Sequence, residues 1–279
     1  MSFSDALILL AIGPRTEADR EKLGQGLARL MAEDPALRVR TVPATGEVVI
    51  GALSELHLEI IVDRLRREFG VEAFVGRPLI AYKEAFTRQA DGEMKYIGPG
   101  GGGHYGHVKI HLYPGETGTG FIFENELMQG AIPAQFITPI REGIEEALGR
   151  GVLAGHPVGD VRIELYDGSY HDVDSSAMAF RLAAAMAFLD AAKHAGPVLL
   201  EPVMRVEVVV DEDYADDVLG NLAGRRGLIQ SREGRGDVEI INARVPLSEM
   251  FGYETDLRSR TRGRGRYSMA LDRSAVSGR

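Results

Sequence analysis

One order of elements is written twice in this chain, near its two ends, and it limits the fold more than any other feature. Residues 7–12, LILLAI, read as a short apolar strand. Thr16 and Asp19 then stand in capping-box spacing, and Leu23, Leu27, Leu30 and Met31 recur at helical intervals. Pro35 stops that helix. Residues 37–42 and 47–50 form a hairpin around Pro43-Ala44-Thr45-Gly46. Ser54 caps a second helix with Leu58, Ile61, Val62, Leu65 and Phe69 on its inner stripe. Gly70 closes it, and residues 71–75 are a last strand. The order is β-α-β-β-α-β, the split ferredoxin-like unit.

The last part repeats it. Met204, Val206, Val208 and Val210 alternate with polar residues, as on a half-buried strand. Tyr214, Val218 and Leu222 mark a helix. Residues 227–231 and 238–245 are strands joined through Gly234-Arg235-Gly236. A helix from about Leu247 to Arg258 and a strand over 266–271 complete the unit.

The middle differs. Strands are predicted near 80–87, 92–97, 107–113 and 120–125, followed by a helix with Phe136, Ile140, Ile144 and Leu148. A strand over 161–166 leads through Asp167-Gly168-Ser169-Tyr170-His171-Asp172-Val173 into a long helix. That helix is predicted to be capped by Asp174, with Met178, Leu182, Met186 and Leu189 on its core face. The expected architecture is therefore α+β. Two ferredoxin-like domains, 1–79 and 199–279, flank an α/β domain, 80–198.

Between two middle strands lies GPGGGGHYGH, Gly98 to His107. Glycine loses the most backbone freedom on ordering, so such a loop suits a site where something approaches bare backbone. Gly98-x-Gly100-x-x-Gly103 matches a dinucleotide fingerprint, but that fingerprint opens a helix, and here a strand follows. No Lys-Ser/Thr follows the glycines either, so there is no Walker A loop.

The 279 residues contain no cysteine, which excludes disulfides, thiolate catalysis and cysteine zinc sites. No apolar run is long enough to span a bilayer, and no basic residues precede the first apolar stretch, as a signal peptide would require. A cytoplasmic protein that does not engage membranes is expected.

The net charge of −9 argues against a general nucleic-acid coat, but the charge is uneven. Residues 199–224 hold seven acids and one arginine, whereas residues 225–279 hold twelve basic residues and seven acids. Arg258, Arg260, Arg262, Arg264 and Arg266 alternate with small residues, and Arg225 and Arg226 belong to the same domain. Guanidinium forks suit phosphate, and Gly263 and Gly265 permit close backbone approach, so RNA contact is the reading of this run.

His104, His107 and His111 could be drawn as a metal cluster, but no acidic partner is near in sequence and no metal is expected. Asp167, Asp172 and Asp174 beside His171 are explained by turn and cap chemistry rather than by acid–base catalysis. Arg235-Gly236-Asp237 is a hairpin turn. His57, with Glu55 and Glu59 near it, is not part of an HExxH site.

Several long motifs resemble translational elongation factor G. Its GELHLEIIVDRLKREF is similar to SELHLEIIVDRLRREF, Ser54 to Phe69. YDGSYHEVDSSEMAF is similar to Tyr166 to Phe180, EPIMRVEV to Glu201 to Val208, and PLAEMFGYATDLRS to Pro246 to Ser259. GGRGQYGHVKI is similar to GGGGHYGHVKI, Gly100 to Ile110. The motifs keep their order and span nearly the whole chain.

The resemblance implies the third, fourth and fifth domains of a ribosomal translocase. The third and fifth would be ferredoxin-like, and the fourth would resemble ribosomal protein S5. A fragment beginning just before Ala6 is implied. It would lack the GTPase domain and so not itself be an enzyme. GTP and magnesium would be needed only by the full-length protein.

The implied tip of the fourth domain comprises Gly98, Gly100, Gly101, Gly102, Gly103, His104 and Tyr105, with Tyr170, His171 and Asp172. It would enter the small-subunit decoding region and meet mRNA and tRNA. Arg225, Arg226, Arg258, Arg260, Arg262 and Arg264 would face large-subunit RNA, and His57 and Arg64 would lie toward the GTPase domain. No residue is assigned to covalent chemistry.

Three departures stand out: Gly102 where the family has arginine, Ile97 where it has a basic or polar residue, and the absence after Leu271 of an aspartate–aromatic segment and helix. They leave room for a paralogue acting in ribosome recycling or protection. A free-standing RNA-binding module is the other alternative.

Overall fold

The computed structural model describes residues 6–42, 47–98, 104–128 and 130–277. The chain divides into two units, Met1–Ala81 with Glu201–Ala275, and Tyr82–Leu200 with Val276–Arg279.

In the first unit, β1 (Ile8–Pro14) buries Ile8, Leu10 and Ile12 on one face, the alternation that a strand covered on one side requires. Helix α1 (Glu17–Glu33) starts where Thr16 accepts the Asp19 N–H at 3.2 Å and donates to the Asp19 carboxylate at 2.6 Å. Leu23, Leu27 and Leu30 are buried. Met31 lies on the solvent flank of the stripe, 42% exposed, contrary to expectation. The C-cap is Asp34, extended as a residue before proline prefers.

Strands β2 (Arg38–Thr41) and β3 (Val48–Ala52) follow, then α2 (Glu55–Phe69) and β4 (Ala73–Val75). The expected turn residues 43–46 lie outside the described residues. Ser54 caps α2, and Gly70 ends it at φ +60°. The sheet order is β2-β3-β1-β4, with β5 (Leu79–Ile80) also on β1. This is the antiparallel order of a βαββαβ sandwich.

The same order recurs in residues 201–275. Strand β11 (Pro197–Asp211) pairs over 203–211 with β13 (Val238–Pro246), which pairs with β12 (Leu228–Arg235). With β14 (Arg266–Val276) the order is β12-β13-β11-β14. Met204, Val206, Val208 and Val210 are buried, as their alternation implies. Helix α5 (Glu212–Gly224) buries Val218 and Leu222. The helix expected from Leu247 is broken: a 3-10 turn over Leu247–Glu249 precedes α6 (Tyr253–Arg260), because Gly252 at φ +67° interrupts helical geometry. The final strand also runs five residues past the expected Leu271.

The second unit is built on β7 (Ala90–Ile97), β8 (Tyr105–Pro114), β9 (Phe121–Asn125) and β10 (Val161–Ser169), in the sheet order β7-β8-β10-β9. Strands β9 and β10 run parallel and the other pairs antiparallel. Val108, Ile110 and Leu112 of β8, and Val161, Ile163 and Leu165 of β10, face α3 (Ile137–Arg150) and α4 (Ala177–His194) across a common core.

Two expectations for α4 fail. The N-cap is Ser176, whose hydroxyl accepts the Ala179 N–H at 3.2 Å, not Asp174. The Asp174 carbonyl instead accepts the Tyr105 N–H at 2.7 Å, and a bridge between Tyr105 and Ser175 keeps this segment extended. The helix also presents the opposite face. Met178, Leu182, Met186 and Leu189 are 38–63% exposed, while Ala179, Phe180, Ala183, Ala184, Ala187, Phe188, Ala191 and Ala192 are buried. Alanines win the inner position because the neighbours come very close. A Cβ added to Gly92 of β7 would sit 2.1 Å from the Ala187 carbonyl oxygen, and one on Gly143 of α3 would sit 2.2 Å from that of Arg181.

A short strand, β6 (Lys83–Phe86), carries the buried Glu84. Its carboxylate accepts the backbone N–H groups of Val152 (2.5 Å), Leu153 (2.9 Å), Ala154 (2.7 Å) and His156 (3.1 Å). Burial pushes this carboxyl upward, but the four N–H bonds outweigh it and hold it below the usual carboxylate range. One side chain thereby organises the loop that leaves α3.

Candidate nucleic-acid interface

Strands β7 and β8 are in register up to Ile97 opposite Tyr105, and beyond that pair the Gly98 N–H reaches the His104 carbonyl at 2.9 Å. Gly100, Gly101, Gly102 and Gly103 lie outside the described residues. Gly98 is buried beneath the His104 side chain, and His104 is exposed.

The loop after β10 is fastened to this hairpin end. Besides its bond to Asp174, Tyr105 places its hydroxyl 2.7 Å from Ser169 Oγ, its ring centroid 6.4 Å from that of His171, and its face 5.4 Å from Lys95 Nζ. The loop is internally braced as well. The His171 N–H donates to Ser175 Oγ at 2.9 Å, and His171 Nδ1 accepts the N–H groups of Asp174 (3.2 Å) and Val173 (3.4 Å). The same Nδ1 lies 3.2 Å from the Asp174 carboxylate.

Tyr170, His171 and Asp172 are exposed, as are Ile97 and Val173 beside them. The structure thus brings Gly98, His104 and Tyr105 together with Tyr170, His171 and Asp172 at one end of the sheet. Lys95 and Ser169 also belong to this end. Their signal was positional: each occupies the strand position beside the loop it supports.

The three histidines of the β8 region do not converge. His107 sits between Ser169 Oγ (2.9 Å) and Glu93 (2.8 Å). His111 meets Asp91 at 2.6 Å and stacks on Tyr166 with centroids 3.9 Å apart. The acidic partners absent from the nearby sequence come from the adjacent strand. Among the described residues no group of His, Asp and Glu could hold a metal ion.

In the first unit, most of the candidate arginines already have anionic partners. Arg225 is half-buried, bonds Asp256 at 3.0 Å and the Glu249 carbonyl, and lies 5.2 Å over the Tyr253 ring. Arg226 makes two parallel bonds to the buried Glu201 and one each to Glu249 and Ser248. Arg258 pairs with Glu254, Arg260 with Asp217 and Asp256, and Arg264 with Asp211. Burial pushes the Asp256 carboxyl upward, but its bonds to Arg225, Asn221 and Arg260 hold it low. Arg262 is exposed, and among the described residues nothing engages its guanidinium.

His57 and Arg64 are also tied within the unit. His57 Nε2 lies 2.5 Å from Asp34 Oδ2, and Arg64 bridges Glu33 (2.8 Å) and Glu68 (2.6 Å). Both connect α2 to the end of α1. These bonds hold the Glu33 and Glu68 carboxyls low.

Three family models match the chain in succession: Elongation Factor G, domain III, over residues 3–77; Elongation factor G, domain IV, over 78–196; and Elongation factor G C-terminus over 198–276. The α+β fold, with two βαββαβ sandwiches and a different unit between them in sequence, is that of a translation-factor module. The chain belongs to the elongation factor G family. A crystal structure of a protein from Thermus thermophilus is similar, with 37% identity and a TM-score of 0.75, over 98% of this chain and 41% of that one. The chain thus spans less than half the length of that relative. Among the described residues no helix is long and apolar enough to cross a membrane.

Proposed function

We propose that this chain is the ribosome-engaging part of a translocation factor. The braced end formed by Tyr105 and the 169–175 loop carries this reading. A probe entering a crowded RNA groove must keep its shape without a core of its own, and the bonds from Tyr105 to Asp174 and Ser169 supply that stiffness. Gly98, His104, Tyr105, Tyr170, His171 and Asp172 meet the mRNA–tRNA duplex in the small-subunit decoding region through shape and backbone contacts. They act as a pawl that occupies space and prevents return of the tRNA, without covalent chemistry. The C-terminal arginines face large-subunit RNA, and the His57–Arg64 helix meets a GTPase domain that supplies GTP hydrolysis with magnesium.

Hydroxyl-radical footprinting of ribosomes with this chain bound tests the reading. Protection of decoding-region nucleotides is expected, together with its loss on Tyr105→Ala. Binding that leaves the decoding region fully reactive would refute it.

A further inference from the structure

The face of the second unit's sheet that looks away from α3 and α4 carries a row of polar side chains. Strand β10 gains one extra residue between Leu165 and Asp167, so its register with β8 passes from Leu165–Ile110 to Asp167–Lys109. Before this bulge Val161, Ile163 and Leu165 point into the core. Unbroken alternation would send Ser169 there as well, because successive side chains change face. The bulge turns Ser169 to the open face instead, opposite His107. Gly168 lets the two strands stay close: a Cβ on it would sit 2.4 Å from the His107 carbonyl oxygen.

Ser169 Oγ thereby meets two partners on β8, the Tyr105 hydroxyl at 2.7 Å and His107 Nδ1 at 2.9 Å. His107 Nε2 continues across the sheet to Glu93 Oε1 on β7 at 2.8 Å. Lys109 steadies Glu93, its Nζ lying 3.9 Å from that carboxylate and 3.1 Å from the one of Asp167. Glu93, His107, Ser169 and Tyr105 therefore form one hydrogen-bond relay across β7, β8 and β10. Its direction follows from what each group can do. A carboxylate only accepts, so His107 Nε2 donates to Glu93. In a neutral imidazole Nδ1 then has no proton and accepts from Ser169. A hydroxyl has a single proton, so Ser169, having given its own to His107, accepts the proton of Tyr105.

We propose that Ser169 and His107 are positioning residues for the candidate tip: with Glu93 as the terminal acceptor, they aim the Tyr105 hydroxyl and lock the start of β8 to the loop after β10. The proposal rests on the ribosomal reading above. Glu93 makes it testable. It stands four strand positions before Ile97, the last residue of β7, a span of about 13 Å. An effect of Glu93 on Tyr105 therefore travels through His107 and Ser169.

Two measurements on the full chain read the direction of the relay and its consequence separately. Nitrogen NMR of the His107 ring at about pH 8, where an ordinary imidazole is neutral, reports its tautomer. A single Nε2–H tautomer is expected. Glu93→Ala should release it to a mixture of both tautomers. Asp91→Ala removes the carboxylate 2.6 Å from His111 on the same face and should leave the His107 tautomer unchanged. The second measurement is binding to purified small ribosomal subunits. Ser169→Ala should weaken it about tenfold, as a lost hydrogen bond with stranded partners implies, and Ser169→Thr should restore it. Glu93→Ala should weaken it about threefold, with a melting temperature within about 2 °C of the parent's.

An Nδ1–H tautomer, or a charged imidazole at that pH, would overturn the proposal. Binding of Glu93→Ala as tight as the parent's would overturn it as well. Equal weakening by Asp91→Ala and Glu93→Ala would show a general effect of charge on this face, again overturning it. Each of these outcomes leaves the ribosomal reading intact. A parent that does not bind small subunits would refute that reading, and the role of the relay with it, whatever the tautomer.

Discussion

Arg226 grips Glu201 with two parallel hydrogen bonds, Nη1 to Oε1 at 3.0 Å and Nη2 to Oε2 at 3.1 Å. The partners are unequally exposed: the Glu201 side chain is 4% exposed and that of Arg226 is 42%. Their removal should therefore be unequal. Arg226→Ala strands a buried carboxylate and should cost about 3–5 kcal/mol. Glu201→Gln keeps the shape and leaves an arginine that can turn to water, so about 1–2 kcal/mol is expected. Urea denaturation of both variants checks the order. Equal losses would mean that the pair is solvated as a whole.

Glu84 makes a prediction about acid. Its folded carboxyl lies below the ordinary value because, despite burial, four N–H groups point at its charged form. A depressed carboxyl stabilises the fold fully above its unfolded value, near 4.3, and loses that contribution as pH falls through the folded value. Glu84→Gln should therefore cost about 3 kcal/mol at neutral pH. Its stability should also fall less steeply than the parent's below about pH 4. Melting curves from about pH 7 to pH 2 would reveal either outcome, and parallel acid limbs would count against Glu84.

Both βαββαβ units were legible because their periods are local. Alternation at Met204 to Val210 and the Thr16 and Ser54 caps involve residues a few positions apart. The family was legible for the same reason, since its motifs are contiguous. The pairing of candidate site residues was not. His57 finds Asp34 and Arg64 finds Glu33 across a helix–helix contact, and Arg225, Arg260 and Arg264 each find a carboxylate more than 30 positions away. An arginine run reads as available charge until the fold supplies its carboxylates. The left-handed backbone of Arg226 (φ +57°) and Arg262 (φ +52°) is hidden from a rule that looks for glycine at the end of a helix, because there glycine follows one residue later.

In α4 side-chain size is no sign of burial: the large residues face solvent and the alanines face the core. Alanines at 183, 184, 187 and 191 fill the interior because Gly92 and Gly143 bring backbone against the helix. Ala187→Leu should overpack this contact and destabilise by about 3 kcal/mol or more. Met186→Ala, at 41% exposure, should change stability by less than about 1 kcal/mol. Thermal denaturation of the two variants decides the point, and a reversed order would restore the larger stripe to the core.

The start of α4 gives the last prediction, and it concerns the candidate tip. Ser176 caps the helix through its hydroxyl, whereas Asp174 contributes its backbone carbonyl to Tyr105. A carbonyl survives substitution of its side chain. Ser176→Ala should therefore cost about 1 kcal/mol, and Asp174→Ala should stay within about 0.5 kcal/mol of the parent. Hydrogen exchange at the Tyr105 amide adds a local reading. Asp174→Ala should leave that amide protected, because its acceptor remains. Ser176→Ala should speed its exchange, because fraying of the first turn frees the 174–175 segment that holds it. Rapid exchange in Asp174→Ala alone would mean that the Asp174 carboxylate, not the cap, sets the stiffness of the loop beside Tyr105.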